Sequence, residues 1–137
     1  FSKLDDAVLR SAPSNVVFTG FLDEQDYINM LFSVDAIMVL TTSDACMLCG
    51  CYEAISAGRP LITSDKEVLK DYFTEAVFVD NTVRGIADCI RKVFERKSYY
   101  EDGIARLRAR LVPEWESRYE DLEGRIQALI DTGGTDG

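Results

Sequence analysis

The helix-to-strand junction at Tyr52–Ile62 constrains the fold more than any other stretch of this sequence. It has the pattern of a short helix with Glu53 in its first turn, followed directly by a buried strand. Gly58 and Pro60 end the helix, because glycine favours the C-terminal stop and proline cannot continue it. Upstream, the unbroken apolar run Ala36–Leu40 predicts a strand that is covered on both faces. A strand, a loop, a helix and a second strand form one unit of a parallel sheet.

The other helices are predicted from capping residues and from proline. Asp23 and the pair Asn81-Thr82 are suited to begin helices, because short polar side chains accept hydrogen bonds from first-turn N–H groups. Ser64-x-x-Glu67 has the pattern of a capping box and predicts a short helix over 65–72. Ser98-x-x-Glu101 is a second capping box and predicts a helix that runs to about Leu111. Pro113 is expected to separate the last two helices, because it lacks the N–H that a helix interior requires.

Four strands, at 16–18, 36–40, 61–63 and 76–79, alternate with these helices. The alternation predicts an α/β, Rossmann-like parallel sheet with helices on both faces, ending in two or three successive helices. Such sheets usually have five or six strands, so we expect the opening strands to lie before Phe1. The prediction is one domain over 1–130 with a disordered tail at 131–137.

Charge and composition narrow the function classes. Twenty-four acidic and fifteen basic residues give a net charge of −9, and the cations are mixed with acids rather than clustered. Such a surface repels nucleic acid and anionic lipid. There is no apolar run of membrane-spanning length and no signal segment, so we expect a cytoplasmic protein without direct membrane insertion. The lack of histidine excludes Ser-His and Cys-His catalysis and histidine-ligated zinc.

The four cysteines are best interpreted as reduced, packed thiols. Cys46, Cys49 and Cys51 cluster, while Cys89 lies far downstream. A zinc site requires two well-spaced pairs, and a single residue separates the second and third cysteines. We therefore expect neither a metal site nor a disulfide.

The junction also predicts a nucleotide site. A strand, a loop containing Gly50 and a helix N-terminus form the arrangement in which backbone N–H groups face a phosphate. Glu53 would lie beside that anion, where a carboxylate can accept two hydrogen bonds from a ribose diol. The alternative is that Glu53 only complements the helix dipole, that Gly50 is only a loop glycine, and that Asp44 is only a turn residue.

An ordered set of motifs resembles a known family over roughly 15–125. The set comprises Asn15–Phe21, Ser33–Leu40, Tyr52-Glu53-Ala54, Ala57–Ile62, Ser64-Asp65 and the aromatic pair Trp115 and Tyr119. It is similar to the C-terminal half of a group 1 glycosyltransferase of the two-domain GT-B architecture. The resemblance implies a domain that binds a sugar nucleotide, with the acceptor docking on a separate N-terminal domain of the same parent chain.

The resemblance also implies roles for individual residues. Glu53 would hold the ribose hydroxyls. The backbone N–H groups of Cys49, Gly50 and Cys51 would bind the diphosphate. The loop Gly20, Phe21 and Leu22 would lie near the base. The loop at Asp44 and Ala45 would face the sugar. The donor would be a UDP- or GDP-linked sugar, with no further cofactor, and no catalytic residue is assigned.

One departure from the family keeps two functions open. The family usually carries a second glutamate eight positions before the helix glutamate, and Ala45 stands there. Cys46-Met47-Leu48 replaces its usual Gly-Phe-Gly. The leading expectation is the donor-binding domain of a retaining glycosyltransferase of glycan biosynthesis, inactive without its acceptor domain. The alternative is a non-catalytic, degenerate Rossmann-like binding or interaction module.

Overall fold

A three-stranded parallel sheet organises the larger part of the chain. The computed structural model describes residues 6–133, and in them β1 (Ile37–Val39), β2 (Leu61–Ser64) and β3 (Val77–Val79) pair in that order. Ile37 lies opposite Leu61 in the first pair of strands. Ile62 lies opposite Val77 in the second. The predicted α/β class with a Rossmann-like parallel sheet is confirmed.

The first thirty residues form a separate compact unit, Phe1–Met30, and the sheet belongs to the second unit, Leu31–Gly137. The first unit contains α1 (Asp6–Ser11), and α2 (Glu24–Ser33) begins in it. Asp23 begins α2 as predicted: its Oδ1 accepts a hydrogen bond from the Asp26 N–H at 2.8 Å.

The strand predicted at 16–18 is not observed. The segment is irregular and exposed, with Val17 at 80% of full exposure, and the Val16 N–H bonds to the Pro13 carbonyl in a turn. A strand is stable only where a neighbour satisfies its backbone groups. Within residues 6–133 the sheet has three strands and this segment is not among them. An apolar triplet was therefore insufficient evidence for a strand.

The helix-to-strand junction folds as predicted. α3 (Cys49–Ser56) connects β1 to β2 and ends in a Schellman motif. The Gly58 N–H donates to the Ile55 carbonyl at 3.1 Å, and the Arg59 N–H donates to the Ala54 carbonyl at 2.9 Å. Gly58 has a φ of 68°, which glycine adopts without a steric penalty. Pro60 then leads into β2.

Two predicted capping boxes are wrong. Ser64 is the last residue of β2, and α4 (Glu67–Tyr72) begins after Lys66, whose side chain makes no capping bond. Ser98 lies inside α6 (Lys97–Gly133) rather than before it. In contrast, Thr82 caps α5 (Val83–Glu95) as predicted, accepting from the Gly85 N–H at 3.0 Å.

Pro113 does not divide the C-terminal region. It lies within α6, which continues for 37 residues. Proline removes the N–H that would bond to the Ala109 carbonyl. Both residues are exposed, so water can reach that carbonyl, and the helix tolerates the loss. α6 also includes residues 131–133 of the predicted tail, while Gly134–Gly137 lie outside the described residues.

Two apolar clusters cover opposite faces of the sheet. Successive side chains of a strand point to opposite faces, so Leu61 joins the larger cluster and Ile62 the smaller one. α3, α4 and the first turns of α6 complete the larger cluster with Cys51, Ala54, Ile55, Leu69, Phe73, Ile104, Leu107 and Leu111. α5 and Tyr100 of α6 contribute to the smaller cluster. The helices therefore cover both faces, as the unbroken apolar strands predicted.

We expect Gly50→Ala to destabilise the protein. A Cβ at Gly50 would lie 2.9 Å from Cγ2 of Val39, a short and stiff side chain on β1. Overpacking of this kind costs about 1–3 kcal/mol, which outweighs the better helix propensity of alanine. The measurement is urea unfolding followed by circular dichroism. Gly124→Ala is the matched control, because a Cβ there meets open space and should cause no loss of stability.

Candidate functional site at the carboxyl edge of the sheet

The carboxyl ends of the three strands bring one set of polar loops together. Because the strands are parallel, the loop at 40–48, the Asp65-Lys66 step and the Asp80–Thr82 step all leave the same edge of the sheet. This is the edge at which open α/β sheets bind ligands. Leu40, Thr41, Thr42 and Asn81 line a shallow depression there, with a volume of about 410 Å³.

A hydrogen-bond network joins the ends of all three strands. The Ser64 hydroxyl donates to Asn81 Oδ1 at 2.8 Å and accepts from the Thr41 N–H at 2.8 Å. Asn81 Nδ2 in turn donates to the Thr41 carbonyl at 2.9 Å. Asn81 has a φ of 63°, a left-handed conformation that asparagine tolerates better than most residues. The network fixes the loops that leave β1 and β3 relative to β2.

Sequence reasoning missed this network. It assigned Ser64 to a capping box and Asn81 to a helix start, although both are polar residues at the ends of apolar strands. Their position at the strand ends could have indicated the contact, because residues at the carboxyl ends of parallel strands converge at one edge of the sheet. Their separation of 17 residues along the chain concealed the contact.

Beneath the network, Cys51 and Thr63 are buried. The Thr63 hydroxyl donates to the Val39 carbonyl at 2.8 Å, and Cys51 Sγ lies 3.6 Å from Thr63 Oγ1. Burial raises the pKa of the Cys51 thiol, against a smaller opposing effect of the Thr63 hydrogen bond. Cys51 is therefore a protonated, packed thiol at neutral pH rather than a nucleophile.

The structure contains four free cysteines: Cys46, Cys49, Cys51 and Cys89. Among residues 6–133, no group of three histidine, cysteine, aspartate or glutamate residues is placed to hold a metal ion.

Asp44 and Lys66 form an ion pair at the same edge. Asp44 Oδ1 lies 2.6 Å from Lys66 Nζ, and only 23% of the Lys66 side chain is exposed. The hydrogen bond from Lys66, and then its positive charge, lower the pKa of the Asp44 carboxyl. The pair is therefore complete at neutral pH and is lost only as the pH falls through that lowered pKa. Ala45, the other residue of the predicted sugar-facing loop, is exposed and has no polar side-chain atom.

The N-terminus of α3 faces the same loops but begins earlier than predicted. The helix starts at Cys49, so Glu53 is half-buried in the second turn and its first turn contains no acidic residue. The Cys51 N–H bonds to the Leu48 carbonyl at 3.0 Å, which differs from the predicted contact with a diphosphate. The phosphate hypothesis therefore depends on the N–H groups of Cys49 and Gly50.

The predicted base-binding loop lies in the first unit. Gly20, Phe21 and Leu22 line a pocket of about 540 Å³ together with Tyr27 and Met30 of the same unit. Gly20 has a φ of 65°, which makes the turn at this loop. The contact of these residues with a base stays a prediction.

Comparisons with protein-family models, curated proteins and solved structures find no match to this chain. Among the described residues, none of the helices combines the length and the apolar character that crossing a bilayer requires.

Substitution of Asn81 should reveal how strongly the network holds the edge. Asn81→Ala removes its hydrogen bonds to Ser64 and Thr41 and places alanine at positive φ, so we expect a loss of about 1–3 kcal/mol in the free energy of unfolding. Asn81→Gly removes the same bonds without the backbone strain and should lose less. If the two variants lose equal stability in urea unfolding, backbone strain at positive φ does not contribute to the effect of Asn81→Ala.

Proposed function

We propose that this chain is the donor-binding domain of a glycosyltransferase, which transfers a sugar from a nucleotide-diphosphate sugar to an acceptor with retention. The observation that carries the proposal is that one edge of the sheet combines a helix N-terminus, a lysine and a polar network. Backbone N–H groups and a cation are the groups that bind a diphosphate, and a half-buried carboxylate on the same helix suits a ribose.

In this proposal, α3 supplies most of the donor contacts. The N–H groups of Cys49 and Gly50 bind phosphate oxygens, strengthened by the positive end of the helix dipole. Gly50 also packs closely against Val39, so the start of the helix is held rigidly against β1. Glu53, one turn further along, accepts the ribose hydroxyls. Transfer itself requires the acceptor domain, so the chain alone binds the donor without catalysing transfer.

Lys66 supplies the positive charge for the diphosphate. It follows β2 at the same edge and is already paired with Asp44. Because the Asp44 carboxylate is exposed, the pair is only weakly stabilising, so a diphosphate with its greater charge can displace Asp44. Asp44 therefore weakens donor binding in the free protein rather than contacting the sugar.

The alternative function is a non-catalytic binding or interaction module. It is favoured by the exposed Ala45, which cannot hydrogen-bond a sugar through its side chain, and by the pairing of Asp44 with Lys66. A module of this kind would keep the sheet and lack measurable affinity for nucleotide diphosphates.

Glu53→Gln tests the ribose contact. The variant keeps the size of the side chain and loses the negative charge, so we expect about a ten- to hundredfold loss of affinity for UDP or GDP. Isothermal titration calorimetry of the 137-residue chain with UDP, GDP and their sugars measures it. Glu120→Gln, an exposed change on α6, is the control. A chain that binds none of these ligands would favour the interaction module.

Lys66→Met and Asp44→Asn test the phosphate contact, with effects in opposite directions. The first removes the cation and should weaken UDP binding by roughly tenfold. The second removes a competing carboxylate and should strengthen it by about three- to tenfold. Neither should change the binding of uridine, which has no phosphate. Weaker binding of the UDP-sugar but not of UDP by Asp44→Asn would instead assign Asp44 to the sugar.

A further inference from the structure

The second half of α6 carries an apolar stripe outside the buried core; its start, at Val112 and Trp115, borders a pocket shared with Tyr52 and Ile55 of α3. Before this stripe the helix buries Tyr100, Ile104, Leu107 and Leu111 in the core, and beyond Leu111 its large apolar side chains are exposed. The stripe has six members, each between 46% and 71% exposed: Val112, Trp115, Tyr119, Leu122, Ile126 and Leu129. Exposed apolar rows of this length mark contact surfaces.

The spacing of the stripe is that of a coiled coil. Its members alternate in steps of three and four residues, which places Val112, Tyr119 and Ile126 at the a positions of three heptads. The d positions are Trp115, Leu122 and Leu129. β-branched residues at two a positions and leucine at two d positions favour a parallel two-stranded coiled coil. Three heptads are the shortest run for which this pattern is informative.

The outer positions of the heptads are compatible with this geometry. Pro113 is at a b position and Gly124 at an f position, so both face away from the stripe. A Cβ at Gly124 would meet no atom within 4 Å. The missing hydrogen bond of Pro113 therefore lies on the outer side of the helix. Residues 112–132 span about 31 Å at the usual helical rise.

We propose that the stripe is a homodimer interface, in which α6 pairs in parallel with α6 of a second copy of this chain. The charged residues beside the stripe support both a second copy of the chain as the partner and a parallel orientation of the two helices. Arg118 and Arg125 occupy g positions, and Glu116, Glu123 and Ile130 occupy e positions. In a parallel dimer, g of one helix faces e of the next heptad of the other, so Arg118 meets Glu123 of the second copy, twice by symmetry.

An antiparallel dimer would bring like charges together. In that arrangement g positions face g positions and e positions face e positions, so arginine faces arginine and glutamate faces glutamate. Within one chain, Arg118 lies 3.9 Å from Glu114 and Arg125 lies 2.9 Å from Asp121, in pairs that are exposed. Exposed pairs of this kind are weak, so they do not prevent contacts with a second copy.

Sedimentation equilibrium of the 137-residue chain tests the association. From about 5 to about 500 µM, the mean mass should rise from one chain to two. Trp115 is the only tryptophan and lies in the stripe, so its emission should shift to shorter wavelength over the same range. Leu122→Glu should weaken the dimer about a hundredfold or more, with an unchanged circular dichroism spectrum. Ser117→Glu, at an f position, is the control and should dimerise normally.

Charge reversal tests whether the two α6 helices run parallel or antiparallel. Arg118→Glu alone and Glu123→Arg alone each place like charges opposite one another, and each should weaken a parallel dimer about three- to tenfold. The double variant should restore the original affinity. Tighter association of Arg118→Glu would overturn the parallel arrangement, because that change relieves repulsion only between antiparallel helices. A chain that stays monomeric throughout, or assembles beyond a dimer, would overturn the homodimer itself.

Discussion

The complete burial of β2 on both faces is the constraint on which the rest of the second unit depends. All four of its residues are buried, so each polar atom of the strand needs a partner inside the protein. Its backbone groups pair with β1 and β3, which requires parallel neighbours on both sides. Its two polar side chains, Thr63 and Ser64, bond to the β1 strand and to the loop after β3. The buried strand therefore determines the sheet and positions the polar edge beside it.

The acidic groups Asp44 and Asp80 at that edge already have partners, and one of those partners is the positive charge of Lys66. Asp44 binds Lys66, and Asp80 accepts hydrogen bonds from the backbone and side chain of Thr82, which lower the pKa of its carboxyl. In a chain with a net charge of −9, a site for a diphosphate requires such local compensation. The N-terminus of α3 adds a positive dipole without adding a side chain. Local geometry, rather than overall charge, thus supports the proposed ligand.

The sequence predicted features that neighbouring residues determine by themselves. Gly58 and Pro60 end α3 through backbone conformation, and Asp23 and Thr82 begin helices through a bond three residues away. Predictions failed where distant residues decide the outcome.

Ser64 resembled a helix cap, yet its partners are Thr41 and Asn81, which are far away in the chain. Pro113 resembled a helix break, yet exposure of the Ala109 carbonyl makes the loss tolerable. The same limit applies to Val16–Phe18, because an apolar triplet becomes a strand only beside another strand.

α6 illustrates how one helix serves two surfaces. Its first turns bury Tyr100, Ile104 and Leu107 against the sheet, where helices α3 to α5 complete the cover. Beyond Leu111 the large apolar side chains of the helix are exposed, yet the apolar spacing continues. If this part of the helix faced only water, polar residues would be expected here, because exposure of apolar side chains to water is unfavourable. The continued spacing, with arginine and glutamate ordered on its two sides, is consistent with an interface to a second helix.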